Sequence, residues 1–513
     1  MTVKKPTARI ATLTLSVALA VFASARCGSG KAPEAETQLP ATERSAASED
    51  AELAEAPPGT FSAEIVNRRW TGDFDGMVKR RMIRVLTPYS KTQYFIDRGV
   101  QRGIVYDVGV KLEEVLNQKL KTTHATKIHV VFVPTTRDGL QDALIQGRGD
   151  IVVAGITVTP EREKIADFTI PTKRDVRQIV VTGPGAPEIR AVEDLAGQQV
   201  AVRESSIQYE SLARLNETFK QQGRPPVAIR TVPPSLEDED LLEMANAGLL
   251  KIVVVDDIYA RFWQQILPDI TPHPTVAVRE DGDLAWAVRK GSAGLIAELN
   301  AFIKNHAVGT TFGNVLLAKY LTNTKFVSAA TSEAELRKFR NLVALFRKYA
   351  AQYEVDYLLM MAQGYQESRL DHTVKSPVGA IGVMQVMPAT GKELKVGDVS
   401  KLDSNINAGV KYIRFMMDTY FKDEPMDDLN KGLFAFASYN AGPNRIRQLR
   451  QLAATRGLNP NVWFNNVERV VGEKIGRETV TYVANIFKYY VAYTLTLDTL
   501  GEKAKAARGV AGR

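Results

Sequence analysis

Glu367 is followed by Lys375-Ser376-Pro377-Val378-Gly379, then by Gly382-Val383-Met384-Gln385-Val386-Met387-Pro388, and later by Ser438-Tyr439-Asn440-Ala441-Gly442-Pro443. One acid ahead of a glycine-punctuated loop, with an amide and a phenol supplied downstream, is the set that acid–base cleavage of a sugar polymer requires. Glu367 lies seven residues after Met360 and eight after Leu359, which puts it on the apolar face of a helix near its C-terminal end. Burial there raises a carboxyl pKa and keeps the group protonated near neutral pH, as a general acid must be. Gly379 and Gly382 let backbone approach a substrate. Met384 offers a polarizable wall or ordinary core packing, and Gln385 an amide that both donates to and accepts from sugar hydroxyls. Tyr439 either orients the acid, stacks on a sugar, or is a half-buried core residue.

These residues sit in a helical region. Leu336, Phe339, Leu342, Val343 and Phe346 recur at three- and four-residue spacing, and Leu358, Leu359, Ala362 and Tyr365 continue the pattern. Helices are expected over 406–420, 430–439 and 480–497, giving an all-α domain at 326–500 with a basic tail at 501–513. The pattern before it differs. Ile83-Arg84-Val85-Leu86, Ile128-His129-Val130-Val131-Phe132, Ile151-Val152-Val153-Ala154 and Lys251-Ile252-Val253-Val254-Val255 read as strands, separated by helices over 108–120 and 139–146. Strands alternating with helices predict an α/β domain with a mainly parallel sheet at 63–325.

Within the α/β region, Leu140-Gln141-Asp142-Ala143-Leu144, Gly155-Ile156-Thr157-Val158-Thr159-Pro160-Glu161-Arg162 and Asp194-Leu195-Ala196-Gly197 resemble the periplasmic solute-binding proteins of the amino-acid-binding type. That resemblance implies two α/β lobes around a cleft. It implies that Thr157 and Arg162 hold a ligand carboxylate through a hydroxyl and a guanidinium, and that Asp256 or Asp257 takes a ligand amine. A turn cap, a surface arginine and a helix cap are the structural alternatives.

The helical region, through Glu367-Ser368, the Lys375–Gly379 and Gly382–Pro388 segments, Ser438–Pro443 and Glu478-Thr479-Val480-Thr481-Tyr482-Val483, resembles the lysozyme-like lytic murein transglycosylases of the soluble-type family. The fold expected is therefore a two-lobed α/β periplasmic-binding-protein-like domain followed by an all-α lysozyme-like domain. The resemblance implies Glu367 as sole catalytic acid and base, with substrate binding by Ser376, Met384, Gln385, Tyr439, Asn440, Glu478 and Tyr482. It implies cleavage of the MurNAc–GlcNAc β-1,4 bond of peptidoglycan strands with a 1,6-anhydro product. Glu478 is as readily a helix-end carboxylate. A lysozyme-type hydrolase with Asp371 as second carboxylate, and a non-catalytic glycan or solute receptor, are the competing readings.

A net charge of +8 suits an anionic partner, but no zinc-finger, homeodomain or RNA-binding signature points to nucleic acid. Few histidines and one cysteine offer no metal cluster, and no cofactor is expected. Lys4, Lys5 and Arg9 precede an apolar run at 10–25, which reads as a secretory signal at 1–25. Cys27 is a lipidation candidate, although Arg26 departs from the usual small residues before such a cysteine. Residues 26–62, rich in Ala, Glu, Ser and Pro, read as a disordered acidic linker. The expected location is periplasmic, attached to the outer membrane through lipid, with a small amino-acid or muropeptide ligand as further partner.

Overall fold

The computed structural model describes residues 66, 68–97, 99–123, 126–324 and 333–511. The signal at 1–25, Cys27 and the linker at 26–62 lie outside the described residues.

The α/β part is built on one sheet of order β4-β1-β5-β11-β7-β10-β8-β9, with β6 (Ala166–Phe168) also against β11. Strands β1 (Met82–Thr87), β4 (His129–Pro134) and β5 (Ile151–Thr157) run parallel and form the first lobe. Strands β8 (Gln199–Arg203), β9 (Ala228–Val232) and β10 (Ile252–Asp256) run parallel and form the second. Two long strands join them, β7 (Lys173–Thr182) and β11 (Thr271–Arg289), paired antiparallel with repeated register shifts. The expectation of a mainly parallel sheet needs correction here: β11 is antiparallel to β5, β6 and β7, and β7 is antiparallel to β10. A chain that leaves one lobe and returns must cross the hinge in both directions, so the crossing strands oppose each other.

The first lobe is tied together by Asp150, which is completely buried. It accepts from the Arg84 backbone N–H at 2.7 Å and from Arg84 Nη2 at 3.0 Å, is paired with Arg80, and has Arg289 of β11 at 3.6 Å. Arg84 Nη1 also donates to the carbonyls of Val66 and Arg68, fastening the entering chain. Asp150→Ala leaves these cations without their counter-charge. It should lower stability by roughly 3–5 kcal/mol in denaturant titration.

The helical part begins with α10 (Glu333–Tyr353) and α11 (Tyr357–Ser368), the tenth and eleventh α-helices among the described residues. It continues through α12 (Pro388–Glu393), α13 (Leu402–Tyr420), α14 (Asp428–Ala441), α15 (Pro443–Thr455), α16 (Glu468–Lys474) and α17 (Arg477–Ala511). Helix α17 continues past residue 500, where the sequence suggested a separate tail. Ala, Lys and Glu dominate 502–507, and these are strong helix formers. Helix α11 is the centre of this part. All residues from Tyr357 to Tyr365 are buried, packed between α10 and α17.

The two parts share a seam. Helix α17 packs on β4 as well as on α11. Tyr493 of α17 donates to the Gly99 carbonyl at 2.6 Å, and Lys488 pairs with Glu113 at 2.5 Å. Arg81 holds the buried Glu468 with both guanidinium nitrogens, at 2.5 and 3.1 Å. Gly99, at φ +83°, permits the approach: a Cβ there would lie 2.6 Å from Leu370 Cδ1.

Candidate active site

Glu367 occupies the last turn of α11. The helix starts on Asp356, whose side chain accepts from the Leu358 N–H at 2.8 Å, and stops abruptly at Arg369 and Leu370. Both have left-handed backbone, at φ 58° and 62°. Non-glycine residues held there store strain that the surrounding packing must offset. The chain then turns into the loop carrying the two glycines. Ser368 Oγ fixes that loop by donating to the Val383 carbonyl at 2.9 Å.

Burial pushes the Glu367 carboxyl up to about 7, while a hydrogen bond from Tyr482 acts in the opposite direction. The Tyr482 hydroxyl donates to Glu367 Oε1 at 2.5 Å. Its direction is enforced by Gln363 Nε2, which donates to the same phenol oxygen at 3.2 Å. With that lone pair occupied, the single phenolic proton points at the acid. Gln363 is completely buried and stands one helical turn before Glu367. Tyr439 approaches from α14: burial, then the nearby Glu367, raises its pKa well above the ordinary value, and its hydroxyl donates to the Met384 carbonyl at 2.8 Å. Tyr482 is raised by the same two causes. Both phenols therefore remain protonated donors across the neutral range.

The loop between Asp371 and Met387 is held by two of the expected site residues, Ser376 and Gln385, and by one that the sequence did not point to, Asn405. Asn405, completely buried on α13, accepts from the Met384 N–H at 2.9 Å and donates to the carbonyls of Ile381 at 2.8 Å and Val399 at 3.0 Å. Ser376 Oγ accepts from the Ala380 N–H at 2.9 Å, closing the turn at Gly379. Gln385, at φ 45°, spends its Nε2 on the carbonyls of Val374 and Gly382. Its amide stabilises the loop from inside. Asn440 Oδ1 accepts from Thr479 Oγ1 at 2.6 Å, joining the end of α14 to the start of α17.

Met384 must be reassigned. Its side chain is completely buried, with Gly409 of α13 so close that a Cβ there would lie 2.6 Å from Met384 Cγ. It forms core rather than a substrate wall, and meets the site only through its carbonyl. Neither further carboxylate joins Glu367. Asp371 is exposed and accepts from the N–H and hydroxyl of Thr373, at 2.8 and 2.7 Å. Glu478 is exposed in the first turn of α17, where a negative charge favours the helix N-terminus.

In the α/β part, Thr157, Arg162 and Asp256 come together around a cavity of about 40 Å³. That volume admits about three waters. The Arg162 and Asp256 side chains already have partners. Arg162 donates to the Thr157 carbonyl at 3.0 Å and reaches across to Glu210 at 3.1 Å. Asp256 accepts from Gln208 at 3.1 Å, and burial, with Asp238 next in effect, pushes it up to about 7. Arg137 reaches Glu237 at 2.7 Å, the Lys91 N–H reaches Glu239 at 2.6 Å, and Gln93 bonds Tyr259. Each of these four contacts, starting with Arg162–Glu210, joins the first lobe to the second.

Residues 344–461 match the Transglycosylase SLT domain, and residues 83–322 match the bacterial extracellular solute-binding proteins, family 3. The two matches in series make the chain similar to a solute-binding module followed by a lytic transglycosylase domain. Over 424 residues the chain is 29% identical to the membrane-bound lytic murein transglycosylase F of Desulfosudis oleivorans, covering 80% of this chain and 89% of that one. It is 28% identical over 426 residues to the protein of the same name from Shewanella sp. strain ANA-3, covering 80% and 84%. These alignments are longer than either family match, so the likeness to membrane-bound lytic murein transglycosylase F runs through both parts. Among solved structures, the ancestral amino acid-binding protein AncCDT-1 aligns with 48% of this chain and 98% of its own, at 26% identity and a TM-score of 0.39.

Tyr482→Phe removes the hydrogen bond that favours ionised Glu367 and leaves burial unopposed. The acid pKa then rises above 7, and the alkaline limb of kcat/KM should move up by about one pH unit. Rates measured from pH 5 to 9 check the sign of the shift.

Proposed function

We propose that this chain is an exported peptidoglycan lytic transglycosylase in which Glu367 alone performs both proton transfers. The observation that carries this reading is one half-buried carboxyl, pushed up to about 7 by desolvation, with a phenol aimed at it and neither Asp371 nor Glu478 in contact with it. Protonated Glu367 gives its proton to the glycosidic oxygen leaving from N-acetylmuramic acid. The resulting carboxylate takes the proton of that sugar's C6 hydroxyl as its oxygen attacks the anomeric carbon. The nucleophile belongs to the substrate, so no second carboxylate is needed to hold water or form a covalent bond, unlike the two-carboxylate glycosidases. Ser376, Gln385 and Asn405 hold the loop over the site, and Tyr439 and Tyr482 supply donors beside the acid.

The product distinguishes this reaction from hydrolysis. Digests of purified peptidoglycan should contain 1,6-anhydro-muropeptides, each lighter by one water than a hydrolysis product in mass spectrometry. Glu367→Gln should reduce their release by about 10²-fold or more. Linkage supplies an independent check. Because the folded pKa lies above the ordinary carboxylate value, the folded state binds the extra proton, and stability falls as pH rises from about 4.5 to about 7. Glu367→Gln lacks that loss and should melt higher than the parent at pH 8, by an amount on the order of 2 kcal/mol. A glutamine variant with parental turnover would reject the assignment.

The same reading places the enzyme in the periplasm, released through the signal at 1–25 and, through lipid on Cys27, attached to the outer membrane. No helix among the described residues is long and apolar enough to cross a membrane. Labelling with a palmitate analogue tests the lipid, since a mature chain that takes no label is simply secreted.

For the α/β part the reading is an amino-acid-like or muropeptide ligand whose carboxylate replaces Glu210 at Arg162 while its amine meets Asp256. Opening at β7 and β11 must come first. Glu210→Gln should then tighten binding of such a ligand in calorimetry, and Arg162→Ala should abolish it. Comparing cleavage rates with and without ligand separates a sensor, whose rate changes, from a docking module, whose rate does not.

A further inference from the structure

A second cavity, of about 370 Å³, lies at the seam between the two parts. Its cationic lining is Arg68, Arg69, Arg80, Arg81 and Lys488, with His129 among them, and no carboxylate among the described residues lines it. Three of these charges are balanced from behind: Arg80 by Asp150, Arg81 by Glu468 and Lys488 by Glu113. Arg68 and Arg69 are exposed and make no side-chain ion pair among the described residues. Both ring nitrogens of His129 are buried without a hydrogen-bond partner. An imidazole in that state costs free energy unless something in the cavity bonds it. Phe464 and Phe487, with ring centroids 5.0 Å apart, form an apolar wall.

We propose that this seam cavity binds a small phosphate monoester, its oxyanion held by Arg68, Arg69 and His129 and its apolar body set against Phe464 and Phe487. Two guanidinium groups with no ion pair among the described residues match a dianion, and their forked donors suit its oxygens. The volume lies within the range of small-molecule sites. The site is separate from the Arg162 cleft and from Glu367. It lies against α17, which contributes Ala484, Phe487 and Lys488 to its lining.

The monoester can be a soluble molecule or the headgroup of a lipid, and the experiment separates the two. Phenyl phosphate is titrated into the full chain by calorimetry, and phosphatidic acid vesicles are tested in parallel by co-sedimentation. Arg68→Ala/Arg69→Ala, at two exposed positions, should weaken binding by about tenfold or more. Ala484→Leu keeps every charge but fills the cavity, and should abolish phenyl phosphate binding while the circular dichroism spectrum is unchanged. Binding of phenyl phosphate assigns a soluble ligand, and binding of vesicles alone assigns a headgroup. Absence of binding to both probes overturns the proposal, as does binding that the double arginine variant leaves unchanged.

Discussion

The proposed mechanism depends on the helical domain keeping one carboxylic acid, Glu367, uncharged within the protein yet open to a substrate. Desolvation alone achieves the first requirement, because water no longer supports the ionised form. Left unopposed it would also make the acid reluctant to give up its proton. The Tyr482 hydrogen bond moderates this by supporting the carboxylate that forms on proton transfer, and Gln363 prevents the phenol from turning away. The second requirement explains the end of α11. A helix continuing past Glu367 would bury the acid under its own next turn, whereas the left-handed Arg369 and Leu370 turn the chain aside at once.

The phenol that moderates the acid comes from α17, and α17 is also the helix against which the first lobe is seated. Lys488 and Tyr493 meet Glu113 and Gly99 on the same element that carries Tyr482. The seam includes Arg81–Glu468, whose carboxylate is completely buried. Buried ion pairs of this kind contribute little net stability, since desolvation offsets their attraction, but a misplaced charge is costly. They therefore fix how α16, through Glu468, and α17, through Lys488, are seated on the first lobe more than they strengthen the contact. A stable register is what a 2.5 Å bond between Tyr482 and Glu367 requires.

Much of this was legible in the sequence, for identifiable reasons. Glu367 declared itself by standing on an apolar helix face ahead of a glycine-rich loop, and Tyr482 by its place in a motif. The alternating strands and helices announced the α/β part. The hinge was not legible: β11 contains Pro272, Pro274 and a charged stretch around Arg279-Glu280-Asp281, so neither strand alternation nor a continuous apolar run marks it. Gln363 and Asn405 were missed because a polar residue on an amphipathic helix ordinarily faces water. A signal existed for Gln363, which precedes Glu367 by one turn and shares its face. Met384 was misread because flanking glycines suggest an open loop, while its packing partner, Gly409, lies on a helix that sequence spacing does not connect to it.

The closed α/β cleft sets a condition on any ligand. Arg162 already holds a carboxylate, and Glu210 is attached to the same chain. A tethered competitor acts at an effective concentration on the order of millimolar, so a free carboxylate must bring additional contacts to displace it. Asp256 can provide one, because an incoming ammonium would favour ionisation of a carboxyl that burial and Asp238 now push up to about 7. A monofunctional acid gains only the exchange at Arg162, which is nearly neutral in free energy. Under the proposed reading, a ligand with both carboxylate and amine gains at two positions in one event, so the charge pattern of the cleft favours amino-acid chemistry over simpler anions.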